Sequence, residues 1–442
     1  MTAAMPEPGS PRAVLLEAAH RCVDLLLDST VVAGDQLTWP TWEVAEDGTA
    51  ARCRGGRSLA YDGDAGIAWA LGHLGSATER DEAAAVAALG ARSALGRRLP
   101  AGGWLSGRPG VLALVADLPE SLQHMVGPAV VDDVRSVAAT DLTGGVAGAL
   151  LARTRTGGGP APLGLVRELR QRSREELWGR SWPDPEADGD EARPLCGLAH
   201  GASGIVWALA EAAARWPELS AEALALADEG LAWESTWLDP ARGGWPDLRA
   251  GETTWPARWC HGSAGAGAVR ARLLQLAAQG LTTPWPQELV RSDLEVAVQS
   301  CGAEVAGFVA DVREHDAAAL GAGLTICHGL GGPVGLLDLA ADVLDEPRHR
   351  DLAVEAATVF LDAAGTDPGA WPSGVRGADG DLGLLNGVAG TALLLARLAL
   401  PGAGVATPVL PGVSAGRHRP GARRRRPPYG PLPGRGGRTV TG

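Results

Sequence analysis

Cysteine and histidine stand side by side at two points of the 442-residue chain, and a third histidine has a similar setting. Cys260-His261 and Cys327-His328 each come directly before a glycine, and His200 comes directly before another. Two thiolates and an imidazole make a ligand set that favours zinc, and three protein ligands leave a fourth position for water or a substrate. Zinc also lowers the pKa of a bound thiol, so the sulfur is held as a thiolate at neutral pH. These residues therefore predict a metal centre that activates a sulfur nucleophile.

The three histidines occupy the same position of an internal repeat. A Gly-x-x-Gly unit followed by an apolar, helix-like run occurs seven times, at intervals of 38 to 67 residues. The residues directly before the first glycines are, in order, Asp62, Ser106, Gly144, His200, His261, His328 and Asn386. Equivalent positions of packed repeats line one surface, so the repeat brings distant cysteines and histidines together. The alternative is that the cysteines are small core residues and that the histidines are core groups whose hydrogen bonds are satisfied. This alternative explains one Cys-His pair better than two at equivalent repeat positions.

The elements that carry these residues are predicted to be helices. Residues 205–216 and 391–400, which follow two of the units, are rich in Ala and Leu and contain no Pro or Gly. More charged amphipathic runs lie between the units, for example residues 80–95 and 350–364. Each repeat therefore predicts an αα-hairpin with an apolar inner helix and a more polar outer helix. Seven such hairpins predict an all-α fold, a closed α/α toroid of seven inner and seven outer helices, because each pair buries its apolar face on its neighbours.

Composition and charge predict the domain organisation. The chain is 45% hydrophobic and 21% charged, which is enough apolar material for a buried core. We expect one toroid domain over residues 11–400, preceded by a disordered N-terminus at 1–10. A disordered tail rich in Pro, Gly and Arg is expected at 401–442. That tail carries eight arginines and no acidic residue, so residues 1–400 have a net charge of −21.

Charge and cysteine usage also argue against several classes of protein. A strongly acidic domain is unsuited to binding nucleic acid. The most apolar stretch, residues 383–400, is short for a membrane span and contains Asn386 and Arg397, so an integral membrane protein is not expected. The N-terminus has no basic region followed by an apolar run, and the six cysteines lack the spacing of a disulfide framework. A cytoplasmic location is therefore expected.

The sequence around the cysteines and histidines resembles the lanthionine synthetase C-like family, the lanthipeptide cyclases. The motifs that carry the resemblance are Gly-Leu-Ala-His-Gly at 197–201, Trp-Cys-His-Gly at 259–262 and Ile-Cys-His-Gly at 326–329. Residues 61–67 and 385–390 look like the first and last repeats of that family, and the resemblance extends over roughly residues 55–400. It implies an α/α toroid with a zinc ion at one end.

The resemblance also implies roles for individual residues. The zinc ligands would be Cys260, Cys327 and His328, and the catalytic histidine would be His200. The acidic partner of that histidine would be Asp141, which lies four residues before the first glycine of the third unit.

Two further positions can be compared with the family pattern. His261 stands directly after the first cysteine ligand, where the family has an aromatic residue or histidine, and this implies a catalytic role for it. Some family members have an arginine four residues before that cysteine, but this sequence has Pro256 there. Arg258 is near but out of register, so the sequence assigns no arginine to the site.

The reaction implied by the resemblance is a Michael-type addition. A peptide cysteine thiolate adds to dehydroalanine or dehydrobutyrine and closes a thioether ring. His200 is expected to protonate the resulting enolate or to take the proton of the thiol, Asp141 to orient His200, and His261 to polarise the substrate carbonyl. The substrate would be a dehydrated precursor peptide, and a separate dehydratase is expected as a partner because the sequence contains no dehydratase region.

Two alternative functions stay open at the level of the sequence. One is an enzyme that adds glutathione to dehydroamino acids, and the other is a non-catalytic, zinc-binding scaffold for a peptide. Because the Arg-rich tail follows the seventh repeat, deletion of residues 404–442 is expected to leave zinc binding and ring closure intact.

Overall fold

Helices form most of the chain that the structure describes. The structure is a computed structural model, and it describes residues 5–44, 51–126, 138–156, 159–183, 192–249, 253–321, 323–373 and 379–413. Its helices are α1 (Pro11–Asp28), α2 (Asp64–Ala77), α3 (Asp81–Gly96), α4 (Arg108–Ala116), α5 (Glu120–Val126), α6 (Val146–Thr156), α7 (Leu163–Arg172), α8 (Ala202–Arg215), α9 (Ser220–Ser235), α10 (Ser263–Ala278), α11 (Gln287–His315), α12 (Gly331–Val343), α13 (Arg348–Ala364) and α14 (Val388–Ala399). Within these ranges, no helix combines the length and the apolar character that crossing a membrane requires.

The described strands form three short antiparallel hairpins. They pair β1 (Val31–Ala33) with β2 (Gln36–Thr38), β3 (Thr41–Val44) with β4 (Ala51–Arg54), and β5 (Arg174–Glu176) with β6 (Gly179–Ser181). No strand of the described chain belongs to a sheet of more than two strands. The prediction of an all-α fold class is therefore confirmed.

Seven helices begin within the Gly-x-x-Gly units, and we refer to them as the repeat helices: α2, α4, α6, α8, α10, α12 and α14. Each repeat helix packs against the next one in the chain, and α14 packs against α2. The series of neighbours thus returns to its starting point. Their residues are buried almost all round, as expected for helices that have protein on every side.

The second glycine of each unit is needed because the chain folds back closely on itself. A Cβ atom on Gly110 would lie 1.6 Å from the carbonyl oxygen of Trp104, and one on Gly204 would lie 2.1 Å from that of Leu198. In both cases the carbonyl belongs to the residue three positions before the first glycine of the unit. A side chain at the second glycine would therefore prevent the segment from packing on the first turn of its own helix.

The remaining helices pack on the repeat helices. α3, α9, α11 and α13 contact α2, α8, α10 and α12 respectively, and α1 contacts α14. Their buried residues follow helical spacing, as in α13, which buries Ala353, Ala356, Ala357, Phe360 and Leu361. The first helix of the chain thus packs on the last one.

The C-terminal part of the described chain differs from the sequence-based expectation. Residues 401–413 fall in the predicted disordered tail, yet residues 405–412 are buried. Val405, Val409 and Leu410 are each no more than 3% exposed. Their apolar side chains provide the burial that offsets the ordering of the backbone. Residues 414–442, including the Arg-rich run, and residues 1–4 of the predicted N-terminus lie outside the described residues.

Candidate active site

Backbone hydrogen bonds join the segments that lead into the repeat helices. Each bond joins the N–H of a residue two positions before one first glycine to the carbonyl of the equivalent residue of another unit. Written as donor to acceptor, the pairs are Tyr61 to Leu105, Leu105 to Thr143, Thr143 to Ala199, Ala199 to Cys260, Cys327 to Leu385 and Leu385 to Tyr61. Among the described residues, no such bond joins Cys260 and Cys327. The residues one and two positions before the first glycines therefore form one layer, which we call the pre-glycine layer. The two cysteines lie where its backbone bonds are interrupted.

His200, in this layer, forms a close pair with Asp141, which lies two residues before Thr143. His200 Nδ1 lies 2.7 Å from Asp141 Oδ2, and the Asp141 carboxylate also accepts a hydrogen bond from the backbone N–H of Gly144. Asp141 is 2% exposed, whereas 20% of the His200 side chain is accessible. The carboxylate orients the imidazole through Nδ1, which leaves Nε2 on the side of the ring away from Asp141. The pairing expected from the sequence is thus present in the geometry.

His261 stacks on His200. Their ring centroids are 5.6 Å apart, and the ring planes differ by 15°. Burial lowers the pKa of His261 to about 4, so its imidazole is neutral at physiological pH. The ring makes a hydrogen bond to the backbone carbonyl of Cys196, while Nδ1 is buried with no partner in the described part of the chain. A neutral imidazole with one buried, unsatisfied nitrogen can still accept or donate one hydrogen bond, depending on its tautomer.

The thiols of Cys260 and Cys327 are hydrogen-bonded to each other. The bond from Cys327 lowers the pKa of Cys260, and the same bond together with burial raises the pKa of Cys327. Cys327 is buried and Cys260 is partly accessible. The first proton is therefore lost from Cys260, and the second is held at Cys327.

Two of the three predicted zinc ligands are thus in contact. The side chain of His328 is exposed, and no group of three His, Cys, Asp or Glu side chains within the described ranges is arranged as a metal site. Two thiols that are hydrogen-bonded to each other are nevertheless a suitable donor set for zinc, because the metal binds thiolates in place of protons. The chemistry of Cys260 and Cys327 therefore fits zinc, and His328 stays a predicted ligand.

Tyr61 and Asn386 adjoin the cysteine pair, and neither was predicted to belong to the site. Asn386 Nδ2 donates a hydrogen bond to the Tyr61 hydroxyl at 3.0 Å, and the hydroxyl is hydrogen-bonded to Cys327. Burial, followed by the neighbouring Cys327, raises the pKa of Tyr61. Asn386 stands directly before a first glycine, and this equivalence to the histidines was the signal that the sequence offered. The hydroxyl of Tyr61 can therefore hold Cys327 in position.

An arginine approaches the site from a position that the sequence did not indicate. Arg249, in the loop between α9 and α10, is hydrogen-bonded to Asp247. After the hydrogen bond from Cys327, the charge of Arg249 also helps to lower the pKa of Cys260. The out-of-register Arg258 instead pairs with Glu304 of α11 at 2.7 Å.

Pro256, the residue found in place of the family arginine, shapes the loop before α10. Its carbonyl accepts a hydrogen bond from the N–H of Ser263, and a Cβ on Gly262 would lie 1.9 Å from that oxygen. Gly262 has φ +125°, a conformation that favours glycine. The loop therefore turns sharply just after Cys260 and His261, which directs both side chains into the pre-glycine layer.

A mostly helical protein that places a hydrogen-bonded thiol pair near an aspartate-oriented histidine has groups suited to handling a sulfur nucleophile or a metal. The comparison with known families is more specific. The chain belongs to the lanthionine synthetase C-like family, whose sequence model matches residues 57–405. Membership places it among cyclase-type enzymes that modify peptides. A comparison with curated proteins finds no significant match.

Proposed function

We propose that the protein is a zinc-dependent lanthipeptide cyclase, which adds peptide cysteine thiolates to dehydroalanine or dehydrobutyrine and so forms thioether rings. The observation that carries the proposal is the proximity of the Cys260–Cys327 thiol pair to the Asp141–His200 pair. The two are connected through His261, which follows Cys260 and stacks on His200. A metal-binding thiol pair beside an oriented histidine supplies both a place for a sulfur nucleophile and a group that moves protons.

The proposed scaffold is an α/α toroid with seven repeat helices inside and the other seven outside. The closed series of contacts from α2 to α14 and back to α2 supports this arrangement. So does the packing of α1 on α14, since α1 would then be the outer partner of the seventh repeat helix. In such a toroid the pre-glycine layer lies at one end of the inner helices, where a peptide substrate has access to it.

The proposed zinc ligands are Cys260, Cys327 and His328. When bound, zinc supplies a positive centre that holds the substrate sulfur as a thiolate. The protein contributes by keeping Cys260 and Cys327 adjacent and by holding Cys327 through Tyr61. Arg249 adds positive charge on the same side of the site.

The proton balance of the reaction is assigned to His200. The thiol proton moves to His200 Nε2, the sulfur forms a bond to the β-carbon, and the α-carbon then takes a proton from His200. Asp141 stabilises the charged imidazole between the two transfers. His261 is proposed to polarise the substrate carbonyl through Nδ1, which requires the tautomer that gives up the bond to Cys196.

The substrate is proposed to be a dehydrated precursor peptide delivered by a separate dehydratase in the cytoplasm. Addition of glutathione to dehydroamino acids is the competing reaction, because it uses the same groups. The Asp141–His200 pair favours either enzyme over a non-catalytic scaffold, since a scaffold needs no oriented histidine.

The test uses the full chain and a dehydrated, cysteine-containing peptide. Metal analysis is expected to find zinc, and alkylation followed by mass spectrometry is expected to find the free thiol consumed without a change in peptide mass. Cys327→Ala should lose zinc and cyclisation together, whereas Cys301→Ala, which removes a buried thiol of α11, should keep both. Full cyclisation by metal-free Cys327→Ala contradicts the proposal, and a glutathione adduct formed in place of the ring identifies the competing enzyme.

A further inference from the structure

The chain after the last helix is buried although it forms no helix or strand. Residues 405–412 are all buried, and Ala406 and Leu410 are inaccessible to solvent. An irregular segment normally runs over the surface, because its backbone N–H and carbonyl groups lack regular partners. The burial of this segment therefore means that the surrounding helices provide a site for it.

The segment first contacts the last two repeat helices. Arg397 of α14 donates a hydrogen bond to the Val405 carbonyl at 2.7 Å. The Val409 side chain packs on Gly335 of α12, where a Cβ atom would lie 2.4 Å from Val409 Cγ1. Gly335 is thus the point at which α12 makes room for the segment.

Two tryptophans at equivalent positions of different repeats also meet the segment. Trp104 and Trp259 each stand three residues before a first glycine. A Cβ on Gly412 would lie 2.8 Å from the Trp104 ring, and Trp259 Nε1 donates to the Val409 carbonyl at 2.8 Å. Nε1 of Trp104 has no hydrogen-bond partner within the described chain. Of the two indole N–H groups, the segment provides an acceptor only for that of Trp259, which adjoins Cys260.

These contacts place the segment among the repeat helices. It reaches α12 and α14 as well as the residues that lead into α4 and α10. α4 and α10 are not successive in the series of neighbouring repeat helices. A segment that touches both therefore crosses the space that these helices surround.

We propose that residues 405–412 are an internal support for the site, which holds the Trp259 side chain and thereby positions Cys260 and His261. Trp259 is 1% exposed and is directly bonded to Cys260, so a displacement of its indole moves the cysteine backbone. Trp259 and Val409 act as positioning residues. The mechanical coupling stands on the geometry alone, whereas its consequence for zinc affinity rests on the proposed function.

The first test displaces the segment from within the full chain. Gly335→Ala puts a methyl group where Val409 Cγ1 lies, and alanine is otherwise a better helix residue than glycine. Gly307→Ala is the matched control, because that helical glycine of α11 has open space at its Cβ position. In the double variant Gly335→Ala/Val409→Ala the clashing methyl is removed, and the two Cβ atoms would be 3.6 Å apart, which is ordinary contact.

Two measurements follow each variant. Hydrogen exchange is expected to increase in residues 403–413 and in 253–262 for Gly335→Ala, and to return toward wild-type values in the double variant. Zinc affinity, measured by competition with a chelator, is expected to fall by about tenfold or more in Gly335→Ala and to recover in the double variant, as for partners that orient a metal ligand. Gly307→Ala should leave both unchanged.

Trp259→Phe tests the hydrogen bond itself, because it removes the N–H and keeps an aromatic ring. It should weaken zinc binding and shift the thiolate-to-metal absorption band of the cobalt-substituted protein, a signature that a general loss of stability does not move. The proposal is overturned if Gly335→Ala frees residues 403–413 while exchange in 253–262 stays at the wild-type level. Absence of zinc from the wild-type protein would instead count against the proposed function, and the exchange experiment would still decide the coupling.

Discussion

The repeat helices carry two polar layers that are built on opposite principles. One is the pre-glycine layer with the candidate site. The other lies ten positions after the first glycines, and we call it the charged belt: His73, Asp117, Arg155, Glu211, Arg272 and Arg397, with Asp338 beside them. In the belt each carboxylate faces a basic side chain, with Arg272 Nε 2.7 Å from Glu211 and Arg397 Nη2 2.7 Å from Asp338.

The site in the pre-glycine layer is built from cysteines, histidines and an asparagine rather than from arginine–carboxylate pairs. His261 Nδ1 and Asn386 Oδ1 are buried without hydrogen-bond partners among the described residues, as are His73 Nε2 and Arg155 Nε in the belt, and the thiols of Cys260 and Cys327 are hydrogen-bonded to each other. Buried polar groups are normally satisfied, so such groups have capacity for a ligand or a substrate. The same repeat thus connects neighbouring helices through charge pairs in one layer and holds the groups of the candidate site in the other.

The largest effect on activity is expected in the pre-glycine layer. His200→Asn removes the group assigned to proton transfer and should lower the rate of ring closure by about 10² to 10⁴. The unfolding free energy should change less than in the belt variant Glu211→Gln, because the asparagine amide can still donate a hydrogen bond to Asp141. His124→Asn, an exposed histidine of α5, is the control and should keep the wild-type rate. A wild-type rate in His200→Asn would place the proton transfer elsewhere.

The belt should show the reverse behaviour. Glu211→Gln leaves Arg155 and Arg272 buried without their shared carboxylate and should lower the unfolding free energy by about 3–5 kcal/mol, measured by urea denaturation. The cyclisation rate per folded molecule should be unchanged. Glu222→Gln, at a partly exposed carboxylate 3.6 Å from Arg167, should change the unfolding free energy by less than about 1 kcal/mol. Equal stability of the two variants would remove the distinction between the layers.

The pH dependence of stability should differ between the surroundings of the pre-glycine layer and the charged belt. At Asp381, near the pre-glycine layer, burial raises the pKa to about 6 in the folded state. The folded protein therefore retains a proton that the unfolded chain releases, so stability falls as pH rises from about 4 to about 6, by no more than about 3 kcal/mol. Asp381→Asn should abolish this decline in urea denaturation curves measured across that range.

At Glu211 the pH dependence of stability has the opposite sign. Burial alone would raise its pKa, but the charges of Arg155 and Arg272 outweigh burial and hold it well below the usual value. Stability from this carboxylate is thus present above about pH 4.5 and is lost on further acidification. The control for Asp381 is the wild-type protein: if the unfolding free energies of Asp381→Asn and wild type fall in parallel between pH 4 and 6, a group other than Asp381 causes the fall.

The smallest effect is expected at the hydroxyl behind Cys327. Tyr61→Phe keeps the ring and removes the hydrogen bond to the sulfur, and zinc affinity should fall by about tenfold, or about 1.4 kcal/mol. Chelator competition measures this change, and denaturation should show little loss of stability. An unchanged affinity would mean that Tyr61 only fills space beside Asn386.

Much of the site was predictable because its members share a repeat position. The Gly-x-x-Gly units indicated where Cys260 and Cys327 would meet, and the family motifs added His200 and Asp141. Tyr61 and Arg249 were missed because their roles depend on which segments become neighbours. Tyr61 of the first unit reaches Cys327 of the sixth only because the series of repeat helices closes.

The end of the chain shows the limit of composition as a guide. Residues 401–413 contain Pro and Gly and were expected to be disordered, and deletion of 404–442, which follow the seventh repeat, was expected to leave zinc binding and ring closure intact. The structure buries residues 405–412 against Trp104 and Trp259, and that deletion would now remove a buried segment. Composition indicates whether a segment folds by itself, whereas packing against the surrounding helices determines that residues 405–412 are buried.

Local rules in the sequence determined the helices, their glycine-dependent starts and the repeat position that holds the reactive side chains. These rules act over a few residues, through backbone sterics and the 3.6-residue period of the helix. The tertiary structure alone decided the neighbours: the contact of α14 with α2, the hydrogen bond between Cys260 and Cys327, and the place of residues 405–412. Those contacts join residues far apart in the chain, and their stability depends on the whole set of helices packing at once.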